Sequence, residues 1–130
     1  MGIVKAGLYQ GKEIKKHPVK VDFSILMDET TGGTKCMTEV VTRIRPSLTL
    51  KPSHSHKDIE EIIYILEGKG AVWVDNEVCE VEKGDSVLFP ANSKHTTKNT
   101  GNSPLVLLCF FSSPNYRKEG RYLTHEDIEF

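Results

Sequence analysis

Cysteine is scarce in this chain and odd in number. Cys36, Cys79 and Cys109 lie far apart, which fits neither a disulfide framework nor a Cys-x2-Cys zinc site. Reduced thiols and a cytoplasmic location are the expectation, and Cys109, inside an apolar run, reads as a small buried hydrophobe. Long hydrophobic stretches are missing too. The longest, Leu105 to Phe111, has seven residues against the roughly 20 that span a bilayer, so no membrane segment is expected. Neither charge sign dominates: 17 Lys and Arg face 18 Asp and Glu, for a net charge of −1. That leaves no basic footprint for nucleic acid. Lys5, Lys12, Lys15 and Lys16 precede no apolar core of a leader peptide, so no secretory signal is expected. At 130 residues, without repeats or low-complexity segments, the chain reads as one domain with a single core.

What is present is period-two alternation. Val19, Val21, Phe23 and Ile25 alternate with Lys20, Asp22 and Ser24, the pattern of a half-buried strand. Residues 30–34, Thr-Thr-Gly-Gly-Thr, break it. Further strands are expected over 37–45, 48–56, 61–66, 86–89 and 105–111, with a hairpin over 71–81 turning at Asp75-Asn76-Glu77. The run 61–66 is apolar on both faces, which calls for a covering sheet or a second subunit; a homodimer is therefore expected. Tyr64 falls opposite Glu61 and reads as packing. Thr124-His125-Glu126-Asp127 has the form of a helix N-cap with chain enough for one turn.

The chemistry concentrates between Ser53 and Asn99. His54 and His56 at i and i+2 leave one face of an extended strand. Glu61 opens the next strand, and three such ligands make a mixed N/O site for a first-row transition metal. Three are few for a buried cation; His95, after the turn Pro90-Ala91-Asn92-Ser93, is the candidate fourth. His17, before a proline and far from this cluster, is not taken as a ligand. Arg43 and Arg45 share a strand face and Lys51 lies three residues before His54. These cations are either surface groups or barrel-facing grips for a substrate carboxylate, and the parity across Pro46 leaves both readings open.

His54-x-His56-x4-Glu61-x6-Gly68 resembles the first motif of the cupin superfamily, and Gly84-x5-Pro90-x-Asn92-x2-His95-x3-Asn99 resembles its second. The resemblance implies an all-β fold, a small antiparallel double-stranded β-helix or jelly-roll barrel, with a strand pattern over 37–112. Residues 1–36 would form an edge strand and arm, and 113–130 a tail. It implies His54, His56, Glu61 and His95 as ligands to one divalent metal: Mn, Fe, Ni, Co or Zn. Glu60 fits a shorter family spacing, yet only Glu61 keeps six residues before Gly68. Leu48 and Asn92 stand where the family pattern has glycines; Asn best tolerates a left-handed backbone among the other residues. In relatives that act on oxalate an Arg stands near the place of Lys51, and a lysine lacks its planar fork. Three neutral imidazoles and one carboxylate leave net +1 on a divalent ion and two positions open in an octahedron. The implied function is a metal-dependent enzyme acting on a small oxygenated organic acid or sugar-like molecule by dioxygenation, isomerisation, decarboxylation or lysis. The alternative is a non-catalytic ligand-binding or sensor module, because this fold hosts many chemistries.

Overall fold

The computed structural model of the chain describes residues 2–8, 12–13, 21–118 and 120–130; Val19 and Lys20 of the first expected strand, with Lys15, Lys16 and His17, lie outside them. Two antiparallel sheets face each other, and no helix occurs among the described residues. The six-stranded sheet contains β1 (Lys12–Glu13), β2 (Asp22–Met27), β3 (Thr38–Ile44), β5 (Glu61–Glu67), β8 (Ser86–Phe89) and β10 (Leu105–Phe111), in the order β1-β2-β3-β10-β5-β8. The five-stranded sheet contains β4 (His54–His56), β6 (Lys69–Val74), β7 (Glu77–Glu82), β9 (His95–Asn99) and β11 (Tyr122–Thr124), in the order β11-β4-β9-β6-β7. This is the jelly-roll barrel expected from the motifs.

Alternation decides what fills it. Ile63 and Ile65 of β5, Val40 and Ile44 of β3, and Leu105, Leu107, Cys109 and Phe111 of β10 point inward and are buried, meeting Val72, Val81 and Phe89. Each such aliphatic side chain contributes on the order of 1.5–3 kcal/mol by leaving water. The opposite face of the six-stranded sheet is treated unevenly. Over β3 and β10, Val41 and Val106 are buried with Leu26 under Ala6 and Leu8. Over β5 and β8, Ile62 (44% exposed), Tyr64 (40%) and Leu88 (50%) stay open to solvent beside Phe110 and Met37. The chain's own N-terminal residues thus cover one half of the face and leave the other bare.

Local chemistry sets the joints. Asp75 and Asn76 both take positive φ (42° and 74°), as a two-residue type I′ hairpin between β6 and β7 requires. Gly68 holds φ 88° with the Pro104 carbonyl close by, where a Cβ would collide. The expected strand 48–56 is broken in two. Leu50 donates to the Thr97 carbonyl (2.8 Å), then Pro52, with no N–H to offer, interrupts the ladder before β4. The expected helical turn at Thr124 is a correction. Thr124 pairs with His54 in β11, because the backbone from Tyr122 finds the free edge of β4, which offers more hydrogen bonds than one isolated turn.

Candidate metal centre

The two histidine motifs are brought together by the loops that precede them. Asn92 adopts φ 67°, the left-handed conformation its position demands. Its side-chain Oδ1 accepts from Asp58 N–H (2.9 Å) and its own N–H donates to the His56 carbonyl (3.2 Å). Asparagine therefore closes the turn and adds a side-chain tie from the second motif to the first that glycine lacks. Ser93 N–H donates to the Pro90 carbonyl (3.1 Å). Lys94 is clamped to the hairpin tip, its N–H on Asp75 Oδ1 (3.0 Å) and its carbonyl on Asp75 N–H (3.0 Å). His95 emerges from this fixed turn and pairs across strands with His54.

His54, His56, Glu61 and His95 converge, with one potential ligand atom from each lying within 4.8 Å of all the others. Glu61 Oε1 is 3.4 Å from His56 Nε2 and 3.2 Å from His95 Nε2, and all three residues are buried. None of these three atoms has a hydrogen-bond partner. Buried polar atoms left unpaired are rare and call for an explanation. Separations of this size are those of neighbouring donors around one cation with bonds of about 2.0–2.2 Å. His95 Nδ1 lies 3.1 Å from the Ser93 carbonyl; a carbonyl only accepts, so the ring proton sits on Nδ1 and the Nε2 lone pair faces Glu61. Phe89 stacks on His95 (4.2 Å, 11°) and Phe111 meets His56 edge-on (5.0 Å, 77°), fixing both rings. Burial pushes the Glu61 carboxyl up, whereas donors or positive charge on its His56 and His95 side outweigh burial and pull it well below the usual carboxylate range, and that is the place a metal ion would take. The donor set thus fits a divalent transition metal.

His54, His56 and Glu61 border a cavity of about 30 Å³, room for roughly two waters. Much of its far wall comes from the segment expected to be a tail. That segment is pinned by Thr38 Oγ1 to the Ser113 carbonyl (2.7 Å), Glu29 N–H to the Pro114 carbonyl (3.0 Å) and Lys57 N–H to the Arg121 carbonyl (2.8 Å). Tyr116 stacks on Phe111 (3.8 Å, 9°), and Tyr122 stacks on His54 (5.3 Å, 14°). Burial pushes the Tyr122 phenol up to about 12, with Arg117 opposing, and pushes that of Tyr116 higher still. Both hydroxyls keep their protons. Cys109 also lines the cavity; burial and then the charge of Glu61 push its thiol up, so it is no ready nucleophile.

The three cations singled out in the sequence lie elsewhere. Arg43 shares the outward face of β3 with Val41 and donates to the Leu8 carbonyl (3.1 Å), and Arg45 is exposed. Lys51 pairs with Glu129 at 2.6 Å. None of the three lines the cavity: Val40 and Thr42 take the inward positions of β3, and Lys51 is drawn to Glu129. The cation that does is Arg117. The clue to it is compositional: Tyr116-Arg117 and Arg121-Tyr122 place aromatic side chains beside cations in an otherwise polar stretch.

The family model described as "Cupin domain" matches residues 40–111. The chain is 46% identical over 76 residues to an uncharacterised protein of Methanocaldococcus jannaschii, covering 58% of this chain and 54% of that one. It is 38% identical over 64 residues to a gentisate 1,2-dioxygenase of a Ralstonia species, covering 48% and 18%. The chain thus spans about half the length of the first relative and far less of the second. Its fold is similar to the crystal structure of a predicted oxalate decarboxylase from Thermotoga maritima, with TM-score 0.73, 19% identity, and coverage of 85% and 99%.

Proposed function

The chain belongs to the cupin family, and on that premise we propose that it is a divalent-metal-dependent enzyme acting on a small oxygenated organic acid. One observation carries the reading: three unpartnered buried ligand atoms, on His56, Glu61 and His95, converge with His54 beside a small cavity of about 30 Å³ that His54, His56 and Glu61 line. When bound, the metal would supply Lewis acidity toward a ligand oxygen. The residues do the rest. His54, His56, Glu61 and His95 hold the ion, Phe111, Tyr116 and Tyr122 exclude water, and the neutral tyrosine hydroxyls offer protons for hydrogen bonding. Among the described lining residues no carboxylate or imidazole stands outside the tetrad to act as a general base. This favours decarboxylation or dioxygenation over base-dependent isomerisation, and the cavity as it stands favours a ligand of a few heavy atoms over an aromatic acid. The gentisate dioxygenase and oxalate decarboxylase names belong to the similar proteins and support only the class.

The same lack of a base supports a second reading, a binding module that holds its ligand without turning it over. Metal analysis of protein purified from its native host, then aerobic and anaerobic turnover assays over small organic acids, separates the two. Metal-dependent consumption of an acid supports the enzyme, and tight binding without turnover supports the module. A cytoplasmic location belongs to the same proposal, supported by three free thiols, two of them exposed.

A further inference from the structure

Arg117 lines the same cavity as His54, His56 and Glu61. Its guanidinium carbon lies 5.0 Å from the centre of the Tyr122 ring and 5.9 Å from that of Tyr116, so two aromatic walls orient it. Its Nη1 is buried and has no hydrogen-bond partner. A lysine or histidine so placed could shed its proton; an arginine cannot. Glu61, the carboxylate in the cavity wall, turns Oε1 toward His56 and His95, and no Arg117–Glu61 ion pair occurs among the described residues. Arg117 as a whole is half-buried, but its Nη1 end faces inward, and a charged donor atom buried without an acceptor is costly. With a divalent ion in the tetrad, Glu61 and Arg117 leave the cavity net positive, and an anion would balance it.

We propose that Arg117 is the carboxylate-binding residue of this cavity, so that the ligand is a small mono- or dicarboxylic acid held by Arg117 at one end and facing the histidine–glutamate tetrad at the other. The assignment rests on the metal-dependent reading above and narrows its substrate class. The planar fork of arginine matches a carboxylate in two parallel hydrogen bonds. It comes from the segment after β10 and not from the barrel strands, so acid selectivity is a property of that segment.

The test is isothermal titration of Mn²⁺-loaded wild type, Arg117→Gln and Arg117→Lys with acetate, glycolate and oxalate, and with acetamide as the neutral comparison. Metal content and circular dichroism are measured first on each protein. Wild type is expected to bind at least one acid and to discriminate against acetamide. Arg117→Gln should weaken acid binding about 10- to 100-fold, the loss of a charge-assisted hydrogen bond, with metal content unchanged. Arg117→Lys should fall between, keeping the charge without the fork; it carries the test alone should the glutamine variant not fold. Acid affinities equal to wild type in the variants, or equal binding of acetate and acetamide by wild type, would overturn the assignment while leaving the metal centre standing. Failure of wild type to take up metal, read before any acid is added, would instead overturn the underlying reading.

Discussion

Replacing Glu61 by glutamine removes the one negative charge from the tetrad while keeping its shape. In the wild type, Oε1 is 3.4 Å from His56 Nε2 and 3.2 Å from His95 Nε2 in a buried setting. Removing one partner of such a buried charged arrangement costs about 3–5 kcal/mol, so metal affinity should fall on the order of 10²- to 10⁴-fold. Metal at about 100 times the wild-type Kd stabilises the folded state by about 2.7 kcal/mol, which raises the Tm of a chain this size by about 10 °C. At the same concentration the variant would sit at or below its own Kd. Its gain is then at most about 0.4 kcal/mol, a shift under about 2 °C. With EDTA there is no metal interaction to lose, and the relief of a desolvated charge is set against the lost contacts with His56 and His95, so the apo variant should melt within about 4 °C of apo wild type. Differential scanning calorimetry with Mn²⁺ and with EDTA, paired with metal analysis, reads both numbers. Equal metal-induced shifts in the two proteins, or a large loss confined to the apo state, would refute the assignment of Glu61 as a ligand.

Tyr116→Ala removes the ring stacked on Phe111 at 3.8 Å. It should cost about 3–5 kcal/mol in urea unfolding and expose residues 113–124 to limited proteolysis; unchanged cleavage would argue that the hydrogen bonds alone hold the segment. Gly70→Ala should lose more than about 3 kcal/mol, since a Cβ there would fall 2.2 Å from the Lys98 carbonyl oxygen and 2.8 Å from Leu105 Cδ2, and a wild-type Tm would contradict the close approach of β6 and β9. The homodimer expected from the apolar run 61–66 remains a proposal, supported by the bare face of Ile62, Tyr64, Leu88 and Phe110. Sedimentation equilibrium should give twice the 14.6 kDa protomer, reduced to one by Ile62→Glu, and a wild-type monomer at micromolar concentration would rule it out.

The sequence by itself determined the parts governed by short-range periodicity. A spacing of two sends His54 and His56 to one strand face whatever surrounds them, and alternation places Glu61, Ile63 and Ile65 together and Ile62 and Tyr64 opposite. Asn92 was readable as a left-handed turn residue, and Leu105–Phe111 as a strand, because backbone sterics and burial act locally. Tertiary structure decided what depends on parity across a break or on pairing between distant segments. Whether Arg43 or Thr42 faces the cavity turns on a shift of one residue, which reverses every side chain in a strand, and Pro46 and Pro52 interrupt the count. The role of Tyr116, Arg117 and Tyr122 has no periodic signature, only the pairing of aromatic with cationic residues, because Tyr116 and Arg117 lie in a turn and the three-residue β11 is too short to show alternation. Its stability comes from β4's edge and from rings on His54 and Phe111 that become neighbours only once the barrel has closed.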